Sequence, residues 1–179
     1  LHLVLDQTIP PIPGVPDTKY VKHFKVLSER LTKFWGRPVY LGAILVLPEG
    51  FDTHPDAHYP LAIYHGHFQP DVSDFRETPP DPKLKPVMMD SIIAQCPNGH
   101  EGDLCTKFGY ERLEQEKGYE FYKEWTGPGF PRVLLLIIQH PTPYYDDSYA
   151  VNSENNGPYG DAINYELIPY VESHYRGLG

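Results

Sequence analysis

The sequence predicts an α/β fold, a mostly parallel sheet flanked by helices, and three observations carry that prediction. Residues 60–65 (PLAIYH) and 132–140 (RVLLLIIQH) are continuous apolar runs, as expected of strands covered on both faces by helices. Between them, residues 106–125 place Tyr110, Leu113, Phe121 and Trp125 at helical spacing with charges elsewhere, which reads as an amphipathic helix. After the second run, Ile163, Leu167, Tyr170, Val171 and His174 recur at helical spacing as well. Strand, helix, strand, helix is the order of an α/β sheet.

Taken in chain order, residues 1–20 form a Pro-rich extended arm, because the prolines of IPPIPGVPDT each remove a backbone donor. Residues 21–31 alternate loosely and read as a strand. Residues 39–50 (VYLGAILVLPEG) are dense in β-branched and aliphatic side chains and end in the turn Pro48-Glu49-Gly50, which suits an antiparallel partner for the strand before them. Residues 69–105, with ETPPDPKLKP inside, show no sustained period and read as an irregular excursion over the sheet edge. A loop of about twenty residues follows the second apolar run, and then a helix over 161–176, with Pro158 near its start, Gly177 near its end and a kink at Pro169. Phe34, Trp35 and Trp125 are read as core or edge packing, and Asp161 as favouring the helix N-terminus by its charge.

Composition narrows the function. The chain has 179 residues, 40% of them apolar, enough for one sizeable core, while twenty prolines and fifteen glycines argue against a helical bundle. A net charge of −9, with no cluster of Lys and Arg, offers no electrostatic footprint for nucleic acid or anionic lipid, and points to a neutral or small ligand. No apolar run approaches the roughly 18 residues that a membrane helix needs. The chain starts at Leu1 and not at Met, so a processed or omitted start is expected. Cys96 and Cys105 suit either a small disulfide loop or two reduced thiols. The compartment stays open, with a secreted or periplasmic location favoured over the cytosol. The Pro-rich arm would suit packing across a neighbouring subunit in a homo-oligomer.

The first apolar run stops at His65-Gly66-His67-Phe68, where chemistry concentrates. His65 and His67, two apart, would point to one side of a strand and could share a metal ion with His140, Asp146 or Asp147 as a third ligand. The same histidines also suit plain packing and hydrogen bonding at a strand end. Tyr144, Tyr145 and Asp146 follow the second run at the same sheet edge, where open α/β sheets bind ligands, and are candidate substrate contacts alongside His65. A rigid surface loop would use the same residues. Acid/base work by the adjacent pair Asp146 and Asp147 is disfavoured, since neighbours in a loop rarely face one site.

The order of LGAILVLPEGFD, YPLAIYHGHF and the long block from FPRVLLLIIQH through NGPYGDAINYELIPYVESHYR resembles the N-terminal half of an α/β-hydrolase of the esterase group akin to feruloyl-esterase-like and esterase-D-like enzymes. The resemblance runs over residues 21–179, and NGPYGDAINYELIPYVESHYR is its most specific piece. It implies a carboxylic-ester hydrolase that works by acyl transfer from a serine activated by a histidine and an acid, without a cofactor, on a small-molecule ester. It also implies that the turn at residues 65–68 contributes to the oxyanion hole. Backbone N–H groups aimed at a developing oxyanion are each worth ~3 kcal/mol, Gly66 lets the backbone come close, and His67 or Phe68 would be the donor.

The departure from the family pattern is equally specific. The family's nucleophile sits in G-x-S-x-G, and none of Ser28, Ser73, Ser91, Ser148, Ser153 or Ser173 has those flanking glycines. The triad is therefore expected beyond residue 179, in the remaining part of the same domain or in a partner chain that covers an open sheet edge at residues 132–140. A further strand of about 5 to 6 residues is expected after a short loop, with the nucleophile motif within roughly 15 to 30 residues. The 179-residue chain by itself is expected to be inactive. A non-catalytic binding module and a metal-dependent hydrolase using His65 and His67 are the rival readings.

Overall fold

The computed structural model describes residues 14–66, 75–84, 103–144 and 146–179, with the backbone alone over 103–111. The arm up to residue 13, His67, Phe68, Tyr145, Cys96 and the side chain of Cys105 lie outside the described residues, and so do the expectations placed on them.

The chain is a mixed α/β structure around a four-stranded sheet in the order β1-β2-β4-β3. β1 (Val21–Leu27) and β2 (Tyr40–Val46) pair antiparallel, as the sequence predicts, and their register sets Val21 opposite Val46. β2 pairs antiparallel with β4 (Leu134–Gln139), and β4 pairs parallel with β3 (Leu61–Tyr64). Two of these three ladders are antiparallel, so this part of the sheet is mixed where the sequence suggested a mostly parallel one.

Three further expectations are corrected. The strand predicted over 21–31 stops at Leu27, and α1 (Glu29–Trp35) follows. Ser28 caps this helix by accepting from Leu31 N at 3.1 Å, and Gly36 ends it at φ 64°, where a residue without Cβ is favoured. Among the described strands the sheet edges are β1 and β3 and not β4, because β4 has a neighbour on either side. β3 is also little covered among the described residues: Ala62, Ile63 and Tyr64 are exposed, although their apolar run looks like a buried strand. An apolar run reports affinity for a covered site, and the described residues supply little of that cover here.

The central strands do alternate between two cores. Leu41, Ala43 and Leu45 of β2 and Leu134, Leu136 and Ile138 of β4 face α1 and the C-terminal helix, while Ile44, Val46 and Ile137 face α2 (Asp103–Thr126). α2 is the predicted helix with one added turn; its Phe121 packs on the second core and its buried Trp125 donates from Nε1 to Leu47 O at 2.8 Å. Part of the excursion is pinned to it. Phe75 packs edge-on against Phe121 and Tyr122, and Arg112 donates from Nη1 to Asp81 O at 2.8 Å.

A two-residue ladder, β5 (Asn152–Ser153) with β6 (Gly157–Pro158), leads into the C-terminal helix. That helix runs as α3 (Tyr159–Ala162), a π-helical segment (Ile163–Leu167) and α4 (Ile168–His174). Pro169 falls in the first turn of α4, directly after the wider π segment. The predicted disturbance at Pro169 takes the form of a π-bulge, which absorbs the missing N–H without ending the helix. Asp161 lies in the first turn as predicted, exchanging hydrogen bonds with Asn152 at 2.8 and 2.9 Å.

Beyond α4 the chain turns back to β3. Tyr59 N donates to Arg176 O at 2.9 Å and Leu178 N donates to Tyr59 O at 3.1 Å, a parallel bridge of Tyr59 with Gly177. Arg176 fixes this crossing. Its guanidinium lies 3.7 Å over the Phe51 ring and donates to Phe51 O at 2.7 Å and His54 O at 2.6 Å.

Candidate functional site

The parallel pairing of β3 and β4 sends both strands out of the sheet at one end, with Tyr64 opposite Ile137. His65 and Gly66 follow β3 there, and His140 follows β4. The two imidazoles meet edge to face with ring centroids 5.7 Å apart. His65 is exposed and Gly66 half-buried, whereas His140 is 2% exposed.

His140 stands at the centre of a buried polar group that the sequence reading did not assemble. Its Nδ1 lies 2.8 Å from Ser148 Oγ and 3.4 Å from Asp147 Oδ1. Asp147 and Ser148 are 3% and 1% exposed, so all three side chains are enclosed. The loop wraps on itself to place them: Thr142 N donates to Asp146 O, Asp147 N to Asp146 Oδ1, and Tyr149 N to Asp147 Oδ1. Tyr149 and Ala150 both take left-handed backbone conformations at φ 53° and 54°, uncommon for residues with a Cβ and held by this web of bonds. Tyr159, fully buried at the start of α3, donates from its hydroxyl to Pro141 O at 2.9 Å and ties the loop down from below.

Ser, His and Asp together invite comparison with a nucleophilic triad, and the geometry refuses it. A triad places serine and acid on opposite ring nitrogens, but here both meet Nδ1. Ser148 is also too enclosed to meet a substrate carbonyl. Burial holds the His140 pKa below the ordinary histidine value, against upward pulls from Asp147 and from the Gly66 backbone, with His65 adding to the depression. His140 is thus the hub of a buried polar cluster under the candidate turn, with burial favouring its neutral form.

The other predicted site residues divide. Tyr144 is 76% exposed and its ring packs edge-on against Trp35 at 5.5 Å, beside the Phe34–Trp35 pair at the end of α1. Asp146 is exposed and its backbone closes the loop onto Thr142, with Asp146 N donating to Thr142 Oγ1 at 3.2 Å. Both belong to the loop after β4. Among the described residues no group of three or more His, Cys, Asp or Glu side chains converges as a metal site. The cluster around His140 left a partial signal in the sequence, a polar run HPTPYYDDS directly after an apolar strand, but nothing in the spacing marks its inward turn.

No family model matches the chain, and no curated protein matches it. Among solved structures, a ferulic acid esterase aligns with 89% of this chain at 11% identity and a TM-score of 0.46. The chain spans 44% of the length of that structure.

Proposed function

We propose that this chain is the N-terminal part of an α/β-hydrolase domain in a serine-dependent carboxylic-ester hydrolase, with the turn after β3 supplying oxyanion-hole donors and the triad lying beyond residue 179. The observation that supports this reading is the sheet itself. Among the described strands its order leaves β3 without an outer neighbour, and the chain leaving α4 already bonds in parallel to Tyr59, just ahead of β3. A polypeptide continuing in the register of Tyr59 with Gly177 would run along β3 and draw level with His65 about four residues past Gly179. Its carboxyl end would then emerge beside His65 and Gly66, where a strand-to-helix turn can present a serine next to backbone donors. On this reading the nucleophile motif falls within about 5 to 15 residues of Gly179, nearer than the sequence alone suggests, because a strand continuing from the Tyr59–Gly177 bridge would need no intervening loop.

The test compares residues 1–179 with a polypeptide extended through the next strand and the rest of the domain. The extended form should label with a fluorophosphonate probe and hydrolyse a simple aryl acetate, and residues 1–179 should do neither. In the extended form, Gly66→Val should lower turnover by ~100-fold or more while probe labelling persists, as loss of an aligned oxyanion donor requires. Equal esterase activity from both lengths would overturn the assignment of the nucleophile. An extended sequence with no elbow serine would transfer the argument to a binding module.

A further inference from the structure

α4 ends on a backbone outlier. Gly177 N donates to Glu172 O at 2.8 Å, the outer bond of a Schellman turn, whose left-handed position belongs by preference to glycine. Here Arg176 holds that position at φ 58°, and Gly177 stands one place later, where a Cβ would meet Glu172 Cα at 2.8 Å. A strained backbone persists where the surroundings fix it, and the Arg176 side chain supplies the fixing bonds. Its guanidinium donates from Nη1 to His54 O at 2.6 Å and from Nη2 to Phe51 O at 2.7 Å, and lies 3.7 Å from the centre of the Phe51 ring. The turn it grips is ordered in its own right: Thr53 N and His54 N both donate to Gly50 O at 3.1 Å, and Ala57 N donates to His54 O at 3.1 Å. Arg176 O in turn accepts from Tyr59 N at 2.9 Å, so one residue holds both ends of the segment that leads into β3.

We propose that Arg176 is a positioning residue: its guanidinium fixes where the chain leaving α4 joins β3, and so sets the register of a strand continuing past Gly177 along that edge. A lysine ammonium, a point charge on a flexible stem, does not reproduce the planar fork that reaches two carbonyls at once. Side chains alternate along a strand, so a slip of one residue turns every one of them over and moves the strand's end by ~3.3 Å. In the ester-hydrolase reading, on which the catalytic consequence rests, that end carries the nucleophile toward His65 and Gly66. The clasp itself does not rest on that reading.

Two measurements test this. In amide hydrogen exchange of the 179-residue chain, Tyr59 N–H should be protected, and Arg176→Gly should lower that protection about 10-fold or more while the β2–β4 ladder keeps its own. Glycine takes φ 58° more easily than arginine, so this variant relieves the backbone and removes only the guanidinium. An unprotected Tyr59 in the parent, or protection retained in the variant, would overturn the proposal. In the extended, active polypeptide, assayed well below its melting point, Arg176→Lys should lower kcat and fluorophosphonate labelling in parallel, each about 10- to 100-fold, because the serine itself is displaced. Ser28→Ala, which loosens the fold at α1 instead, should keep both within about 3-fold. Equal losses in the two variants, or none in Arg176→Lys, would reduce Arg176 to a general prop and overturn the proposal. Should the extended polypeptide show no esterase activity, the ester-hydrolase reading falls and exchange at Tyr59 decides the proposal alone, lost protection upholding it and retained protection overturning it.

Discussion

Burial pushes the phenol of Tyr159 up to about 12, because the phenolate would sit in a site closed to water. The folded chain therefore holds this proton more tightly than the unfolded chain does. Its contribution to stability is complete below about pH 10, the ordinary tyrosine value, and is lost as the pH climbs through 12. Tyr159→Phe should cost about 1 kcal/mol at pH 7, since Pro141 O loses its donor. The gap between the two proteins in urea unfolding should then narrow from pH 10 to pH 12, and a gap that stays constant would contradict the assignment. At this scale the site was half legible. His65 and Gly66 stand out in the sequence because chemistry follows an apolar run abruptly. Ser148 and Asp147 do not, because their burial comes from a loop that folds inward on left-handed residues, and no periodicity records that.

Among the elements, α1 is the one the sequence reading missed, and its caps explain why it exists. Seven residues make a marginal helix in isolation, so its stability comes from its ends and from Leu31 buried in the first core. Ser28 does double duty, accepting from Leu31 N and donating to Glu166, which in turn accepts from Arg30 N at 3.0 Å. Ser28→Ala should destabilise the chain by about 1–2 kcal/mol, more than an exposed cap would, measured as a shift in the urea midpoint at constant slope. A cost under a few tenths would show that the cap is dispensable. The signals for α1, a serine three residues before an apolar position and a glycine at its end, were present in the letters but too short to beat a strand reading. The strands β2 and β4 were legible for the opposite reason: their apolar character is continuous because both faces are covered.

At the scale of the whole molecule, the exposed outer edge of β3 is the most consequential surface. Ile63 and Tyr64 are 46% and 53% exposed on a strand whose outer backbone row has no ladder partner among the described strands. Such an edge pairs readily with another copy. Ile63→Lys should reduce self-association of residues 1–179 in light scattering and leave the far-ultraviolet dichroism unchanged, since the position is solvent-facing. Unchanged association would place the sticky surface elsewhere. The sequence implied an open edge but put it at β4, because strand order depends on which strand crosses over which, and local patterns are silent about that.

The bridge that brings Gly177 back beside Tyr59 also sets a timetable. His58 Nδ1 and Gly177 O, in contact at 3.2 Å, are separated by 119 positions in the chain. Synthesis proceeds at about 5–20 residues per second, so β3 emerges from the ribosome roughly 6 to 24 seconds before the segment that crosses its start. Throughout that interval Tyr59 lacks the partner it bonds to in the finished fold, and α2 and β4 are made in between. One long-range backbone contact thus sets a delay in folding, since the entry to β3 waits for the last segment of the chain to be made.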